Sequence, residues 1–271
     1  MHNFMNWEEP GVAMVTGAAA GIGLEFAKQL ASQDFDTILV DKQGQKLEAL
    51  AKELSNKGGT HEALVADLSN EEDIKTVETR LRSLENLDVL VNNAGFALYK
   101  RFQDLDLSTK LDMLKVHNEV PVRFSHAGVK TMISRNRGII INIASLAAFA
   151  TPSPSSLYPP TKAFLQMFSE GLQVELRGTG VRVQALCPGF TRTELTEPFL
   201  HNQFENKGSH FPDSEWMTPE EVVQISLNMA KTKFVTVIPG VDNIDTAYFE
   251  SKKLLRRLKR LEKQFLKSHA D

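Results

Sequence analysis

The sequence predicts an α/β fold in which a doubly wound parallel sheet of about seven strands carries helices on both faces. Three observations point there. Short runs that are apolar throughout alternate with longer stretches of helical periodicity. A glycine-rich turn, Thr16 to Gly23, joins the first such run to the first helix. No internal repeat or low-complexity linker divides the 271 residues, so a single domain spanning 1–271 is expected.

The candidate strands are Val12–Thr16, Thr37–Val40, Glu62–Ala66, Asp88–Val91, Gly138–Ala144, Val181–Leu186 and Phe234–Ile238. Between them, Leu24, Ala27, Leu30 and Ala31, and then Leu47, Leu50, Ala51 and Leu54, recur at helical spacing. Thr218-Pro219-Glu220-Glu221 reads as an N-cap, a first-turn proline and a capping-box glutamate, and Asn70 opens another helix in the same way. Residues 188–216 interrupt the alternation; an irregular stretch of that length in a compact domain reads as a substrate loop.

A hydrophobic fraction of 42%, a charged fraction of 24% and a net charge of −3 describe an ordinary globular chain and give no reason to expect nucleic acid as a partner. The single cysteine, Cys187, excludes an internal disulfide and fits a reducing compartment. With no signal pattern at Met1–Pro10 and no apolar run near the roughly 20 residues of a membrane span, a cytoplasmic protein is expected. One segment departs from this average. Lys252 to Lys267 holds eight basic residues and one acid, a net +7, leaving −10 on the rest of the chain. Within a predicted basic helix over 246–267, Leu254, Leu258, Leu261 and Phe265 form one stripe. That stripe either docks on the protein's own body or a second subunit, or makes a weak contact with an anionic membrane.

The glycines of Thr16-Gly17-Ala18-Ala19-Ala20-Gly21-Ile22-Gly23 allow a pyrophosphate to approach the backbone at a helix N-terminus. The second strand ends at Asp41, 18 residues past Gly23. A carboxylate there accepts from both ribose hydroxyls and repels a 2′-phosphate, which favours NAD(H) over NADP(H). Lys42 works against that preference by partly neutralising Asp41, and the plain alternative is that Asp41 only starts a turn. Tyr158 and Lys162 lie one helical turn apart, and Ser145 stands at the end of the fifth candidate strand, 13 residues before Tyr158.

In these motifs the chain resembles the short-chain dehydrogenase/reductase family. The resemblance runs from about Val12 to Ile238 through the glycine turn, Asp67-Leu68, Asn92-Asn93-Ala94-Gly95, Ser145, Tyr158-x-x-x-Lys162 and Pro188-Gly189 with Thr191 and Thr193. Asn92-Asn93-Ala94-Gly95-Phe96 and Val237-Ile238-Pro239-Gly240 look most like its ketoreductase-like branch. The resemblance implies a Rossmann-type fold and an NAD(P)-dependent enzyme acting on CH–OH groups. Tyr158 would be the general acid or base, its phenol lowered by Lys162 and by the oxidised nicotinamide. Lys162 would also hold the nicotinamide ribose, and Ser145 the substrate oxygen. Thr16, Gly17, Gly21, Ile22, Gly23, Asp41, Asp67, Leu68, Asn93, Ala94, Gly95, Pro188, Gly189 and Thr191 would contact the cofactor. Relatives pair through two long helices, which implies a homodimer or homotetramer.

Two departures from the family pattern stand out. Where the family commonly has an asparagine that holds a relay water, this chain has His117, with Asn118 about 100° further round the helix. His117 is either a replacement water ligand, and so a fourth catalytic residue, or a buried structural histidine in a kinked helix. Pro159-Pro160 lies inside the Tyr-x-x-x-Lys motif, so the helix is expected to start at Ser155 or Ser156. Phe96, Leu98, Leu146, Phe149, Phe190, Phe199, Phe211 and Trp216 would line an apolar cleft for a hydrophobic carbonyl or alcohol. A lipid or 3-ketoacyl reductase at a membrane surface is a variant of this function. The reading from another class is a non-catalytic, NAD(P)-sensing binding protein.

Overall fold

In the computed structural model, residues 3–98, 101–149, 155–196 and 216–268 are described; side chains are left aside at 254, 255, 257, 258 and 261–268. Seven parallel strands, β1 (Val12–Thr16), β2 (Asp36–Asp41), β3 (His61–Val65), β4 (Leu87–Asn92), β5 (Gly138–Ile143), β6 (Val181–Leu186) and β7 (Thr236–Val237), form one sheet. Their order is β3-β2-β1-β4-β5-β6-β7. β1, β4 and β5 are buried throughout because helices cover both faces, which is why they are mostly apolar without alternation, with Thr16, Asp88, Asn92 and Asn142 as buried polar positions.

On one face α1 (Gly21–Ala31), α2 (Gly44–Ser55) and α7 (Pro219–Met229) bury Phe26, Leu30, Leu47, Leu50, Val222 and Leu227. On the other, α3 (Glu71–Arg82) and α5 (Val120–Ser134) bury Ile74, Val77, Leu81, Phe124 and Met132. Each fully buried side chain of this kind contributes about 1.5–3 kcal/mol. α4 (Leu107–Leu114) runs into α5 through a π-helical turn, Lys115–Glu119. α6 (Tyr158–Glu175) follows β5, and α8 (Val241–Ser268) ends the described chain. The expected caps form: Thr218 and Glu221 make the reciprocal capping box, and the Asn70 side chain accepts from Glu72 and Asp73 N–H.

Strand ends differ from the sequence expectation by a residue or two, and β7 shrinks to Thr236–Val237. As an edge strand it has a single neighbour, β6, and Phe234 is left exposed. A buried polar chain crosses the middle of the sheet. Asn92 Nδ2 donates to Asn142 Oδ1 (2.8 Å), Asn142 Nδ2 to Ser169 Oγ (2.9 Å), and Ser169 Oγ to the Leu165 carbonyl (2.7 Å). The strand order reverses between β1 and β4, so the crevice at their C-terminal ends is where a ligand fits.

Candidate active site

A cleft of about 570 Å³ opens at that switch point. Gly17, Gly21, Ile22, Asp41, Asp67, Leu68, Asn93, Ala94 and Gly95 line one end, and Ser145, Tyr158, Lys162, Pro188, Gly189 and Thr191 the other. Thr16, Gly23 and His117 are not on its wall.

Thr16 works from behind. Its hydroxyl donates to the Val91 carbonyl (3.2 Å) and accepts from Asn93 and Ala94 N–H (3.0 and 3.1 Å). Asn93 Nδ2 returns the link to the Thr16 and Gly17 carbonyls (2.9 and 3.1 Å). The loops after β1 and β4 are thereby stapled together. Gly23 permits this staple, since a Cβ there would lie 2.1 Å from the Gly17 carbonyl oxygen. The turn at Ala20 brings no side-chain cap to α1, which leaves the amides of its first turn without a capping side chain among the described residues.

Asp41 accepts from Ala19 N–H (3.0 Å) and Gln43 N–H (2.9 Å), one on each carboxylate oxygen. Lys42 leans toward Asp67, at 3.9 Å, rather than folding back over Asp41. Lys42, Asp112, Val116, Thr193 and Leu195 also line the cleft. Of these, Asp112 and Val116 lie on the α4–α5 segment and were not legible as cleft residues, because only the packing of that segment against the β4 loop brings them there.

At the other end Ser145 follows β5 and caps a short 3₁₀ turn, its hydroxyl accepting from Ala147 N–H (3.1 Å). α6 begins at Tyr158, not at Ser155 or Ser156 as expected. Ser155 is not a cap, since its hydroxyl donates to the Leu98 carbonyl (3.2 Å), and Leu157 takes the N-cap position without a side-chain bond. Both prolines therefore fall in the first turn, where no helical N–H is required.

Lys162 is buried and its Nζ donates to the Ile143 carbonyl (2.8 Å). Burial pushes its ammonium down to about 8. Tyr158 is half-buried, and burial raises its phenol above the ordinary value, against the opposing influence of the neighbouring Ser145 side chain. The expected depression by Lys162 is thus not met by the protein's own groups: the ammonium is turned to Ile143, 5.6 Å from the ring centroid. The protein holds Tyr158 as a neutral phenol.

His117 lies in the π-helical turn and is 1% exposed. Its Nε2 accepts from Phe96 N–H (3.0 Å), and its Nδ1 meets the Thr161 hydroxyl (2.9 Å). Burial and the charge of Lys162 hold it well below the ordinary histidine range, so the ring is neutral. The histidine is buried behind the cleft wall, with both ring nitrogens hydrogen-bonded within the protein. Asn118, expected to point elsewhere, also reaches Thr161, donating to its carbonyl (3.0 Å).

Of the apolar residues expected at the cleft, Phe96 lines it. Phe190 and Trp216 pack on each other with ring centroids 5.1 Å apart, and Phe149 packs on the small cluster of Ala144, Leu165, Ala185 and Cys187. Phe199 and Phe211 fall outside the described residues, as do the side chains of the Leu254–Phe265 stripe.

The pattern described as short chain dehydrogenase matches residues 11–203. The chain belongs to this family. A 3-oxoacyl-[acyl-carrier-protein] reductase of Aquifex aeolicus is 32% identical over 218 residues, covering 80% of this chain and 88% of its own. A short-chain dehydrogenase from Sphingobium yanoikuyae, solved in complex with NADPH, is 30% identical, with a TM-score of 0.77 over 97% of this chain and 96% of its own. The bulky-bulky ketone specific alcohol dehydrogenase from Comamonas testosteroni is 26% identical, with a TM-score of 0.76 over 98% and 96%. The short-chain dehydrogenase described here is accordingly an NAD(P)-dependent oxidoreductase of CH–OH groups on a Rossmann-type fold. Among its described residues no helix is long and apolar enough to cross a membrane.

Proposed function

We propose that this enzyme transfers a hydride between a nicotinamide cofactor and a hydrophobic ketone or secondary alcohol, with Tyr158 as general acid or base. One observation carries the reading: Ser145, Tyr158 and Lys162 come together on one wall of the cleft, with the Lys162 ammonium 5.6 Å from the Tyr158 ring centroid. The residues present fit the cofactor, because the uncapped α1 terminus and the close Gly17–Gly23 turn suit a pyrophosphate and the Asp41 carboxylate suits ribose hydroxyls. Bound there, the nicotinamide supplies or accepts the hydride. Ser145 donates a hydrogen bond to the substrate oxygen and orients it, while Tyr158, held neutral, donates its proton to that oxygen during reduction. Lys162 would hold the nicotinamide ribose, and its ammonium would place a positive charge beside the phenolate left when Tyr158 gives up its proton. Phe96, Val116 and Leu195 on the wall support an apolar substrate. The segment 188–216 serves as the substrate loop of this single catalytic domain.

Tyr158→Phe is expected to lower turnover on a carbonyl and alcohol panel by about 100-fold or more while leaving cofactor affinity nearly unchanged. Turnover that survives the substitution refutes Tyr158 as the acid, and the absence of any turnover in the parent favours a nucleotide-sensing protein. NAD(H) is the cofactor preferred, because Lys42 is directed to Asp67 and leaves the Asp41 carboxylate to oppose a 2′-phosphate. Parallel NADH and NADPH titrations of the parent and Asp41→Ala test this; a parent that binds NADPH better overturns it.

Exposed Phe164 and Met167 on α6 and Leu111 on α4 support pairing of two copies through the long helices, which light scattering measures. On α8, Tyr248 and Phe249 are exposed beside Lys252, Lys253 and Arg256, which supports weak peripheral contact with anionic lipid. Sedimentation with phosphatidylglycerol vesicles at low and high salt, with and without Lys252 onward, decides that point.

A further inference from the structure

The first turn of α6 has no side-chain cap. Pro159 and Pro160 have no N–H, and the N-cap Leu157 offers no side-chain acceptor. The first amide to close a helical hydrogen bond is Thr161 N–H, to the Leu157 carbonyl (3.1 Å). Tyr158 sits in this turn, and a general acid must be held close to its working position for its chemistry to run.

What holds the turn is the π-helical segment on the neighbouring element. Thr161 Oγ1 donates to the Tyr158 carbonyl (2.8 Å), which uses the only hydroxyl proton. The bond between Thr161 Oγ1 and His117 Nδ1 (2.9 Å) therefore runs from the ring N–H to the hydroxyl oxygen. That direction agrees with the other ring nitrogen, Nε2, which accepts from Phe96 N–H (3.0 Å) and so carries no proton. A neutral Nδ1–H imidazole satisfies every bond, and no ring nitrogen is left over. The ring is also stacked edge to face between Phe96 and Tyr158, at 5.6 and 5.9 Å between centroids. A Cβ on residue 95 would come within 2.9 Å of Nε2, so Gly95 is what lets the cofactor loop close on the histidine.

We propose that His117 is a positioning residue: a tether that fixes Thr161, and through it Tyr158, against the Gly95–Phe96 backbone of the cofactor loop, and that passes no proton itself. The inference rests on Tyr158 being the acid. It gives the uncapped first turn a hold from a neighbouring element, and it links the cofactor loop to the acid by one rigid ring. Asn118 adds the second hold on Thr161 through its carbonyl (3.0 Å), which the widened π turn makes possible from the adjacent position.

The test compares Thr161→Val, Thr161→Ser, His117→Asn and Tyr158→Phe for kcat, KM, cofactor affinity and the pH profile of kcat. Thr161→Val is expected to lower kcat about tenfold or more, with KM and cofactor Kd little changed and the profile unmoved in pH. Thr161→Ser restores the hydroxyl and should restore kcat. His117→Asn should lower kcat and also weaken cofactor binding, because Phe96 N–H loses its acceptor. Full kcat in Thr161→Val, or a limb of the pH profile that disappears in His117→Asn, overturns the tether. Nitrogen-15 NMR of the parent, with the His117 signals assigned by difference against His117→Asn, should show the Nδ1–H tautomer unchanged between about pH 5.5 and about pH 8. An Nε2–H tautomer or a second proton in that range overturns it without reference to activity. If Tyr158→Phe keeps its turnover, the acid assignment fails; if Tyr158→Phe is inactive and Thr161→Val is not impaired, the tether alone fails.

Discussion

Replacing Lys162 by methionine should stabilise the fold at neutral pH while abolishing the charge the site needs. The lysine is 5% exposed, and burial brings its ammonium from the ordinary range, about 10.4, down to about 8. That drop corresponds to about 3 kcal/mol of unfavourable burial of the charged form. The folded state binds this proton less tightly than the unfolded state, so the cost is fully present below about pH 8 and fades as pH rises to about 10. Methionine fills a similar volume without charge and loses the bond to the Ile143 carbonyl, a loss of about 1 kcal/mol. Lys162→Met should therefore gain about 2 kcal/mol at pH 7, lose that gain progressively between about pH 8 and 10, and end slightly less stable than the parent. Urea unfolding of both proteins across this range, read by circular dichroism, measures the difference directly. A difference that stays constant from pH 7 to 10 refutes the reasoning, because it would mean that no desolvated charge was removed. The site keeps a group that weakens the fold, as expected where function opposes stability.

The remaining predictions concern the frame around the site. Asp88 is fully buried and accepts from Gly11 N–H (2.7 Å), Arg135 and Arg137, so Asp88→Asn should cost about 3 kcal/mol in urea unfolding, and an effect below about 1 kcal/mol would show that the pair is solvated. Thr218→Ala removes one side of the α7 capping box and should cost about 1 kcal/mol, with activity unchanged.

The fold was largely written in local signals. A strand covered by helices on both faces is mostly apolar rather than alternating, and β1 and β6 fall at the expected Val12–Thr16 and Val181–Leu186. The cleft residues followed in the same way, because a strand end or a glycine turn fixes its own neighbours. What could not be read depends on elements far apart in the chain. α6 starts at Tyr158 while the Ser155 hydroxyl bonds the Leu98 carbonyl, a partner that nothing within 155–162 announces. The roles of His117 and Asn118 depend on a π turn, whose extra residue per turn brings adjacent side chains onto one target. The raised phenol of Tyr158 likewise reflects the amount of protein around it, where the sequence offered only the neighbouring lysine.

The polar chain through Asn92, Asn142 and Ser169 behaves as an alignment pin. Hydrogen bonds 2.8 and 2.9 Å long tolerate no slip between β4, β5 and α6, whereas the apolar contacts around them would accept several sliding arrangements. Asn93 follows the pin by one residue, just past the end of β4; Ser145 follows it by three, past the end of β5; and Lys162 lies two turns before Ser169 on α6. The cofactor loop, the serine and the lysine are thus indexed to a single reference point in the core. Among the described residues Asn92 Oδ1 is buried without a partner, so the pin holds that amide through its nitrogen alone.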